Sequence, residues 1–363
     1  MTEIIAPAVL ARMPKVLLHN HLDGGLRPAT IIELAEGLGD VELATSNPDE
    51  LSKWFFRGAN KGNLGEYLEG FGVTCGVMQD EESLARVATE LLEDLHADGV
   101  VYTEVRFAPL LHTNKGLNYE QVMNAVIRGL EAGQEKTGVH WGIIVCALRN
   151  MEPALSLEMA ELAVAFRNKG AVGFDLAGDE NGHPPKAHLE AFQYCKRENF
   201  NITIHAGEAF GKASIWQALQ YCGAHRIGHC TRLVEDMTIL DGKVTHMGTL
   251  ATYIRDHRIP LEICLQSNVH TGAVPNIESH PFRPYFDAHF RVTLNTDNGL
   301  MSDTTMSAEF AIANETFGLN ARDLEKVTVN SMKSAFVDFD HRLTLIYDKI
   351  KAGYQSMRDE GLI

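Results

Sequence analysis

The hydrophobic residues of this 363-residue chain form short, β-branched runs that end in polar clusters and are separated by segments with helical periodicity. Such runs are typical of buried strands, and apolar residues at i, i+3, i+4 and i+7 are typical of amphipathic helices. We predict eight strands, which are Val16–Leu22, Val100–Pro109, His140–Leu148, Val172–Leu176, Asn201–His205, Arg226–His229, Leu261–Leu265 and Arg291–Asn295. Between them we predict helices over Glu81–Asp98, Tyr119–Thr137, Leu155–Lys169, Lys186–Asn199 and Ser214–Tyr221.

The alternation of strand and helix predicts an α/β fold, and eight such units close most naturally into a (β/α)8 TIM barrel. A doubly wound open sheet is the alternative, but it would not bring the ends of eight strands to one point. Additional helices are expected in the long connection after strand 1, roughly residues 30–95, and again after about residue 305. No repeat or linker divides the sequence, so we expect one domain that spans residues 1–363.

Charge and composition narrow the possible partners. The chain has 48 acidic and 32 basic residues, a net charge of −16, and would repel both nucleic acid and anionic lipid. No stretch approaches the ~20 apolar residues of a spanning helix, and the N-terminal residues lack the apolar run of a signal peptide, so we expect a cytoplasmic protein. The six cysteines form no CxxC pair and are expected to be buried free thiols. The sequence leaves the oligomeric state open.

Two histidines at the end of the first predicted strand, His19 and His21, share one face of that strand with Asp23. Two imidazoles placed in this way can supply two ligands to one metal ion. Two surface histidines near a strand end are the alternative, because an HxH motif by itself is only moderately specific.

Two other predicted strands end in candidate ligands, His205 after the fifth strand and Asp297 after the eighth. Because the strands of a barrel converge at their carboxyl ends, these residues would meet His19 and His21. Three histidines and one aspartate suit Zn²⁺, with one position left for water. The alternative is that polar residues unrelated to a metal happen to end all three strands. Binuclear sites on this scaffold usually use a lysine at strand four, which is missing here, so we predict a single zinc ion.

A further histidine, His229, ends the sixth predicted strand on the same rim. It can orient the attacking water and stabilise the charge that develops as the water loses a proton. The alternative is a histidine that only forms hydrogen bonds behind the metal ligands.

Six motifs, taken together and in this order, resemble the adenosine deaminase family within the amidohydrolase superfamily of metal-dependent barrels. They are PKVLLHNHLDGGLRP, GVVYTEVRFAP, FDLAGDE, ITIHAGE, RIGHC and LNTD, between about residue 14 and residue 298. The resemblance implies four zinc ligands, which are His19, His21, His205 and Asp297. It also implies that Glu208 transfers a proton, that His229 assists the attacking water, that Asp23 contacts the ribose 5′-hydroxyl and that the Gly178 backbone binds purine N3.

The reaction implied by the resemblance is zinc-dependent hydrolysis of adenosine and deoxyadenosine, which releases ammonia and leaves inosine in purine salvage. Attack at C6 breaks the conjugation of the purine, and protonation of N1 lets the ring accept the electrons. Glu208 suits this task if burial or nearby negative charge raises its pKa.

Other substrates remain as alternatives to adenosine. They are adenine, a 5′-modified adenosine, the 5′-monophosphate, and a non-purine substrate of a metal hydrolase. A carboxylate at Asp23 would repel a 5′-phosphate, which disfavours the nucleotide. A non-catalytic binding protein is disfavoured because every expected ligand and Glu208 are present.

Two further features are candidate substrate contacts. Many members of the family have two consecutive aspartates where this chain has Asp297 and Asn298. In those members the second carboxyl group must carry a proton to form a hydrogen bond with N7 of the purine, whereas the Asn298 amide can donate to N7 directly. The alternative is that Asn298 only turns the chain after the strand. The second feature is an apolar stripe with helical spacing, which consists of Leu64, Tyr67, Leu68 and Phe71. In the family an apolar helix from this part of the chain covers the substrate. The alternative is that the stripe simply faces the core.

Overall fold

In the computed structural model, which describes residues 3–39 and 41–363, eight parallel strands form a barrel and a separate pair of strands forms a hairpin. The barrel strands, in the order in which they pair, are β1 (Lys15–His21), β2 (Val100–Phe107), β3 (His140–Leu148), β4 (Ala171–Ala177), β5 (Asn201–Ala206), β6 (Arg226–His229), β9 (Pro260–Ile263) and β10 (Arg291–Leu294). The hairpin is antiparallel and consists of β7 (Met237–Leu240) and β8 (Lys243–Met247). The predicted (β/α)8 barrel is confirmed, and the hairpin was not predicted.

Backbone hydrogen bonds between β1 and the segment after β10 close the barrel. The N–H of His21 donates to the carbonyl of Asp297 at 2.9 Å, and the N–H of Asp297 donates to the carbonyl of His19 at 3.0 Å. Asn20 and Asp297 thereby form a parallel bridge. The barrel is therefore joined at the residues that carry three of the candidate metal ligands.

The α-helices alternate with the barrel strands and add further layers in the first long connection and after the last strand. They are α1 (Pro7–Arg12), α2 (Pro28–Leu38), α3 (Pro48–Ala59), α4 (Leu64–Tyr67), α5 (Phe71–Gly76), α6 (Glu81–Ala97), α7 (Tyr119–Thr137), α8 (Pro153–Ala165), α9 (Leu189–Arg197), α10 (Lys212–Gln220), α11 (Thr249–Asp256), α12 (Leu265–His270), α13 (Phe282–Asp287), α14 (Gly299–Ser302), α15 (Met306–Glu315), α16 (Ala321–Ser334), α17 (Phe339–Thr344) and α18 (Ala352–Asp359). A π-helical stretch over Leu345–Lys351 joins the last two. The extra helices predicted after strand 1 and after residue 305 are therefore present.

Helix boundaries follow from local sequence signals. Helix α7 begins with a capping box, in which the Asn118 side chain accepts the N–H of Gln121 and the Gln121 side chain accepts the N–H of Asn118. It ends at Gly138, whose φ of 73° lies in the left-handed region. Apolar residues of α7 pack against α6 and the barrel. Among the described helices, none is long and apolar enough to cross a membrane.

The structure corrects the prediction that Asp23 shares a strand face with the two histidines of β1. The strand ends at His21, and Asp23 lies in a 3-10 turn over Leu22–Gly24. The turn packs against α5 and α14. Its position therefore depends on contacts with distant parts of the chain, which strand periodicity does not report.

The apolar stripe that begins at Leu64 lies on a continuous helical segment that tightens to a 3-10 turn in its middle. Helix α4 ends at Tyr67, a 3-10 turn spans Leu68–Gly70, and α5 begins at Phe71. Glycines at positions 65, 70 and 72 weaken helical propensity across this stretch. The helical spacing of the stripe nevertheless agrees with the structure, and all four stripe residues line the same cavity.

Candidate metal and catalytic site

Four ligand atoms from three strand ends converge inside the rim of the barrel. The Nε2 atom of His205 lies 3.0 Å from that of His19 and 3.2 Å from that of His21. The Oδ1 atom of Asp297 lies 3.2 Å from His19 Nε2 and 3.4 Å from His21 Nε2. All four side chains are nearly inaccessible to solvent. The sequence placed these residues at separate strand ends, and the barrel brings their ligand atoms together.

The hydrogen bonds behind these histidines decide what the four atoms can hold. His19 Nδ1 lies 2.8 Å from Glu262, and His205 Nδ1 lies 3.0 Å from Asp175. Because carboxylates accept hydrogen bonds, both Nδ1 atoms carry the proton and both Nε2 atoms present lone pairs to the centre. Facing acceptors repel one another unless a proton or a cation lies between them, and a metal ion at the centre would satisfy all four ligand atoms at once. The separations match the roughly 3.3 Å between ligand atoms of a tetrahedral site with metal–ligand distances near 2.0 Å.

A buried arginine holds the two carboxylates that orient these histidines. Arg106 donates to Asp175 and to Glu262, at 2.9 Å in each case. Burial alone would raise the pKa of Glu262, but the guanidinium groups of Arg106 and Arg226 hold it well below its ordinary value. Both carboxylates therefore stay ionised and keep the histidine rings in one orientation.

Glu208 shares a cavity with His21, His205 and Asp297, three of the four candidate ligands. Its side chain is buried, and its Oε1 atom has no hydrogen-bond partner among the described residues. Burial, reinforced by the charge of Asp297, raises the pKa of Glu208 well above its ordinary value. The carboxyl group is thus suited to carry a proton near neutral pH, as a general acid must.

The tautomer of His229 is set by a chain of hydrogen bonds. The N–H of Phe282 donates to His280 Nδ1 at 3.0 Å, so His280 carries its proton on Nε2, which lies 3.1 Å from Asn268 Oδ1. The Asn268 amide then donates to His229 Nδ1 at 2.9 Å. The neutral His229 ring consequently carries its proton on Nε2, 3.5 Å from Glu208 Oε2. It is therefore a hydrogen-bond donor toward the site and not a base at that atom.

The cavity in front of the ligand atoms has a volume of about 270 Å³, near the lower end of the range for small-molecule sites. Its polar lining includes Asp23, Gly178 and Asn298, and its apolar lining includes the four stripe residues Leu64, Tyr67, Leu68 and Phe71. Burial raises the pKa of Asp23 to about 7. Gly178 follows β4 with a φ of 91°, a conformation that other residues adopt with strain.

Asn298 packs tightly against the turn that carries Asp23. A Cβ atom added to Gly24 would lie 2.0 Å from Asn298 Oδ1, so only glycine fits at this approach. No described residue donates a hydrogen bond to that buried oxygen. Tyr67, which also lines the cavity, bonds through its hydroxyl to Ser302 at 2.9 Å.

Sequence reasoning assigned no role to several residues that support the site. Asp175 and Glu262 are single carboxylates within the apolar strands β4 and β9, and a charge in a buried strand is a signal that could have found them. Glu180 occurs in a quoted motif and accepts four backbone N–H groups of the loop after β5. Asn268 carries no such signal, because its contact with His229 spans 39 residues of sequence.

The sequence model of the adenosine deaminase family matches residues 14–352. Adenosine deaminase 1 of Streptomyces coelicolor is 50% identical over 362 residues, which cover 98% of this chain and 91% of that protein. Adenosine deaminase of Mycobacteroides abscessus is 49% identical over 359 residues, which cover 98% and 99% of the two chains.

The solved structures similar to this one have the same architecture. The crystal structure of adenine deaminase from Arthrobacter aurescens matches with a TM-score of 0.84 and 25% identity, covering 94% of this chain and 99% of that chain. The lower identity of this structural relative contrasts with the values near 50% for the sequence relatives.

Proposed function

Because this chain belongs to the adenosine deaminase family, we propose that it hydrolyses adenosine and deoxyadenosine at C6, using one zinc ion. Water replaces the 6-amino group, so adenosine and water give inosine and ammonia. The observation that carries the proposal is the convergence of four ligand atoms at a cavity of about 270 Å³ that the buried carboxyl group of Glu208 also lines. Relatives that are about half identical over nearly the whole chain carry the name adenosine deaminase.

The residues that would hold the zinc ion are His19, His21, His205 and Asp297. Their nitrogen and oxygen atoms are ligands that zinc prefers, and the Asp297 carboxylate would bring a negative charge to the cation. When bound, zinc would supply hydroxide at neutral pH by lowering the pKa of water from 15.7 to about 7.

Glu208 would protonate N1 of the purine while the nucleophile adds to C6. Its raised pKa keeps the carboxyl group protonated where an ordinary glutamate is ionised. Transfer of this proton neutralises the charge that the ring would otherwise accumulate. The same carboxylate would afterwards return a proton to the departing amino group, which leaves as ammonia.

His229 would donate a hydrogen bond from Nε2–H to the attacking oxygen. The chain through Asn268 and His280 leaves no lone pair on Nε2, so His229 would orient the nucleophile and stabilise its negative charge. The proton that the nucleophile loses would pass to Glu208, which lines the same cavity, once its carboxyl group has protonated N1. Glu208 would then give this proton to the departing amino group.

Recognition of the nucleoside would use the remaining lining of the cavity. The Gly178 backbone would bind purine N3, the Asn298 amide would donate to N7, and the Asp23 carboxyl group would accept a hydrogen bond from the 5′-hydroxyl. The stripe of Leu64, Tyr67, Leu68 and Phe71 would cover the purine and exclude water.

Adenine is one alternative substrate, because a structural relative is named an adenine deaminase. The carboxyl group of Asp23 in the cavity lining favours a ribose over a free base, because it can accept a hydrogen bond from a ribose hydroxyl. A 5′-modified adenosine, or a non-purine substrate of the same metal site, is disfavoured by the identity to relatives named for adenosine.

The test is a comparison of kcat/KM for the zinc-loaded protein with adenosine, deoxyadenosine, 5′-deoxyadenosine, adenine and the 5′-monophosphate. Adenosine and deoxyadenosine should rank first, and loss of the 5′-hydroxyl should cost roughly tenfold, the value of a hydrogen bond to a charged group. A higher kcat/KM for adenine than for adenosine, or no turnover of any of these purines, would overturn the proposal.

We also propose that residues 1–363 act as one domain and that the protein works in the cytoplasm in purine salvage. All six cysteines are buried free thiols, which suits a reducing compartment. The charge of −16 disfavours nucleic acid and membrane surfaces as partners.

A further inference from the structure

A second cluster of ligand-type side chains lies beside the candidate active site. It consists of Asp23, Cys75 and His112, which are all buried and whose ligand atoms lie within 4.8 Å of one another. Cys75 Sγ lies 3.6 Å from Asp23 Oδ2, and His112 Nε2 lies 4.0 Å from the same oxygen. We call these three residues the Asp23 cluster.

The orientation of His112 leaves a lone pair directed at this cluster. Its Nδ1 atom lies 3.0 Å from the carbonyl oxygen of Met78, which can only accept, so Nδ1 carries the proton. Among the described residues, none forms a hydrogen bond with His112 Nε2 or with Asp23 Oδ1, although both atoms are buried. A histidine anchored through Nδ1–H to a backbone carbonyl, with Nε2 free, is oriented as metal-binding histidines are.

The two segments that carry Cys75 and His112 are held together by Gln79. Its side-chain amide donates to the carbonyl of Cys75 at 2.7 Å and to the carbonyl of Leu111 at 2.8 Å. Its oxygen accepts the N–H of Asn114 at 2.9 Å. The thiol and the imidazole are therefore brought close together by the fold itself, which lowers the cost of binding a ligand between them.

We propose that the Asp23 cluster is a second metal site, which binds a thiophilic divalent cation such as Zn²⁺ or Cd²⁺ when that cation is in excess. Binding breaks the S–H bond of Cys75, releases its proton to solvent and forms a metal–sulfur bond. The thiolate and the Asp23 carboxylate together neutralise the two positive charges. Tetrahedral sites of this kind separate their ligand atoms by roughly 3.3–3.8 Å, so only small side-chain shifts are needed.

The fourth position of this site would be open to the cavity, because Asp23 lines it. A cation held there would occupy the place that the proposed function gives to the 5′-hydroxyl of the nucleoside. This kinetic consequence rests on the proposed function, whereas metal binding itself does not. The cation should therefore compete with adenosine and raise KM while kcat stays unchanged.

The experiment titrates Cd²⁺ into zinc-loaded protein and records two quantities, the bound metal after dialysis and the ultraviolet charge-transfer absorption of a cadmium–thiolate bond. We expect one further equivalent of metal and the appearance of this absorption, with the first zinc equivalent retained. Cys75→Ser and His112→Gln should lose the further equivalent. Cys195→Ser is the matched control, because Cys195 is another buried cysteine but lies on α9 and does not line the cavity, and it should behave as the unaltered protein does.

The proposal is overturned if the unaltered protein shows no thiolate absorption with Cd²⁺, or if the absorption survives in Cys75→Ser. In the kinetic arm, Cd²⁺ should raise KM for adenosine several-fold in the unaltered protein and leave KM of Cys75→Ser unchanged. A protein that shows the thiolate absorption and does not deaminate adenosine would refute the proposed function but not the second metal site.

Discussion

The carboxylate of Glu180 accepts the backbone N–H of Glu208 at 2.9 Å and so holds the loop that carries the candidate proton donor. The same carboxylate accepts the N–H groups of Gly207, Ala209 and Phe210 at 2.8–3.0 Å. One buried side chain therefore replaces the water that four consecutive N–H groups would otherwise need. It aims Glu208 at the cavity without touching its side chain.

Glu180→Gln should lower kcat by up to about 100-fold and leave KM and zinc content nearly unchanged, because a small displacement of the loop misaligns the proton donor. The side chain of Glu180→Gln has only one acceptor oxygen, whereas the Glu180 carboxylate has two. Some of the four backbone N–H groups would therefore face the NH₂ group of the amide and lose their acceptor. The free energy of unfolding should also fall by about 1.5–3 kcal/mol. Steady-state kinetics and denaturant unfolding measure both effects. Glu190→Gln, at an exposed position of α9, is the control and should change neither.

Protein purified without added metal should contain about one equivalent of zinc, and exhaustive chelation should abolish turnover. Asp297→Ala should lose the metal, because it removes one of the four converging ligands. His246→Ala, which removes an exposed histidine, should keep it. Two tightly held ions in the untreated protein, or full activity after chelation, would contradict the single-zinc assignment.

Glu208→Gln should retain zinc and lower kcat by at least roughly 10²–10⁴, because an amide cannot give a proton to N1. The pKa of Glu208 lies above its ordinary value, so the acid form is present at neutral pH and is lost as the pH rises through that raised pKa. The pH profile of kcat/KM should therefore fall on its alkaline side, and this fall should be missing in the variant. Near-normal kcat in a zinc-replete variant would remove Glu208 from the mechanism.

Asn268→Asp should move the proton of His229 from Nε2 to Nδ1, because a carboxylate accepts from both neighbouring histidines and donates to neither. The site would lose a hydrogen-bond donor to the nucleophile, and kcat should fall on the order of 10²-fold. Nitrogen chemical shifts of ¹⁵N-labelled histidine report the tautomer directly. If the shifts do not change while kcat falls, Asn268 acts by some route other than the His229 tautomer.

The barrel strands could be predicted because each is a short apolar run whose end is marked by polar residues, as at His205 and His229. The same feature located the candidate ligands, since strand ends converge whatever the intervening helices do. The hairpin of β7 and β8 was missed, although Asp241-Gly242 between its strands is a strong turn signal.

Other parts of the site depend on contacts that no local pattern reports. Asp23 leaves the line of β1 because the turn that carries it packs on α5 and α14, far away in the sequence. In the helical segment that carries the stripe, Gly70 lies against Met301, and a Cβ atom at Gly70 would lie 2.8 Å from the methionine sulfur. The contact of Cys75 with Asp23 spans 52 residues, so the cluster they form with His112 is visible only in the folded chain.

Asn298 occupies the position where many family members have a second aspartate, and its side chain lines the cavity against Gly24. An aspartate must be protonated to donate to N7 of the purine, whereas the amide donates as it stands. Asn298→Ala should therefore lower kcat/KM for adenosine by roughly the value of one hydrogen bond, several-fold to tenfold.

The same Asn298→Ala change should have much less effect with 7-deazaadenosine, whose C7–H offers no acceptor. Comparing the two substrates in both proteins separates the contact with N7 from any general disturbance of the site. Asn298→Asp is the matched variant, and it should restore adenosine turnover only at a pH low enough to protonate the new carboxyl group. Equal losses for adenosine and 7-deazaadenosine in Asn298→Ala would mean that Asn298 turns the chain after β10 and does not contact N7.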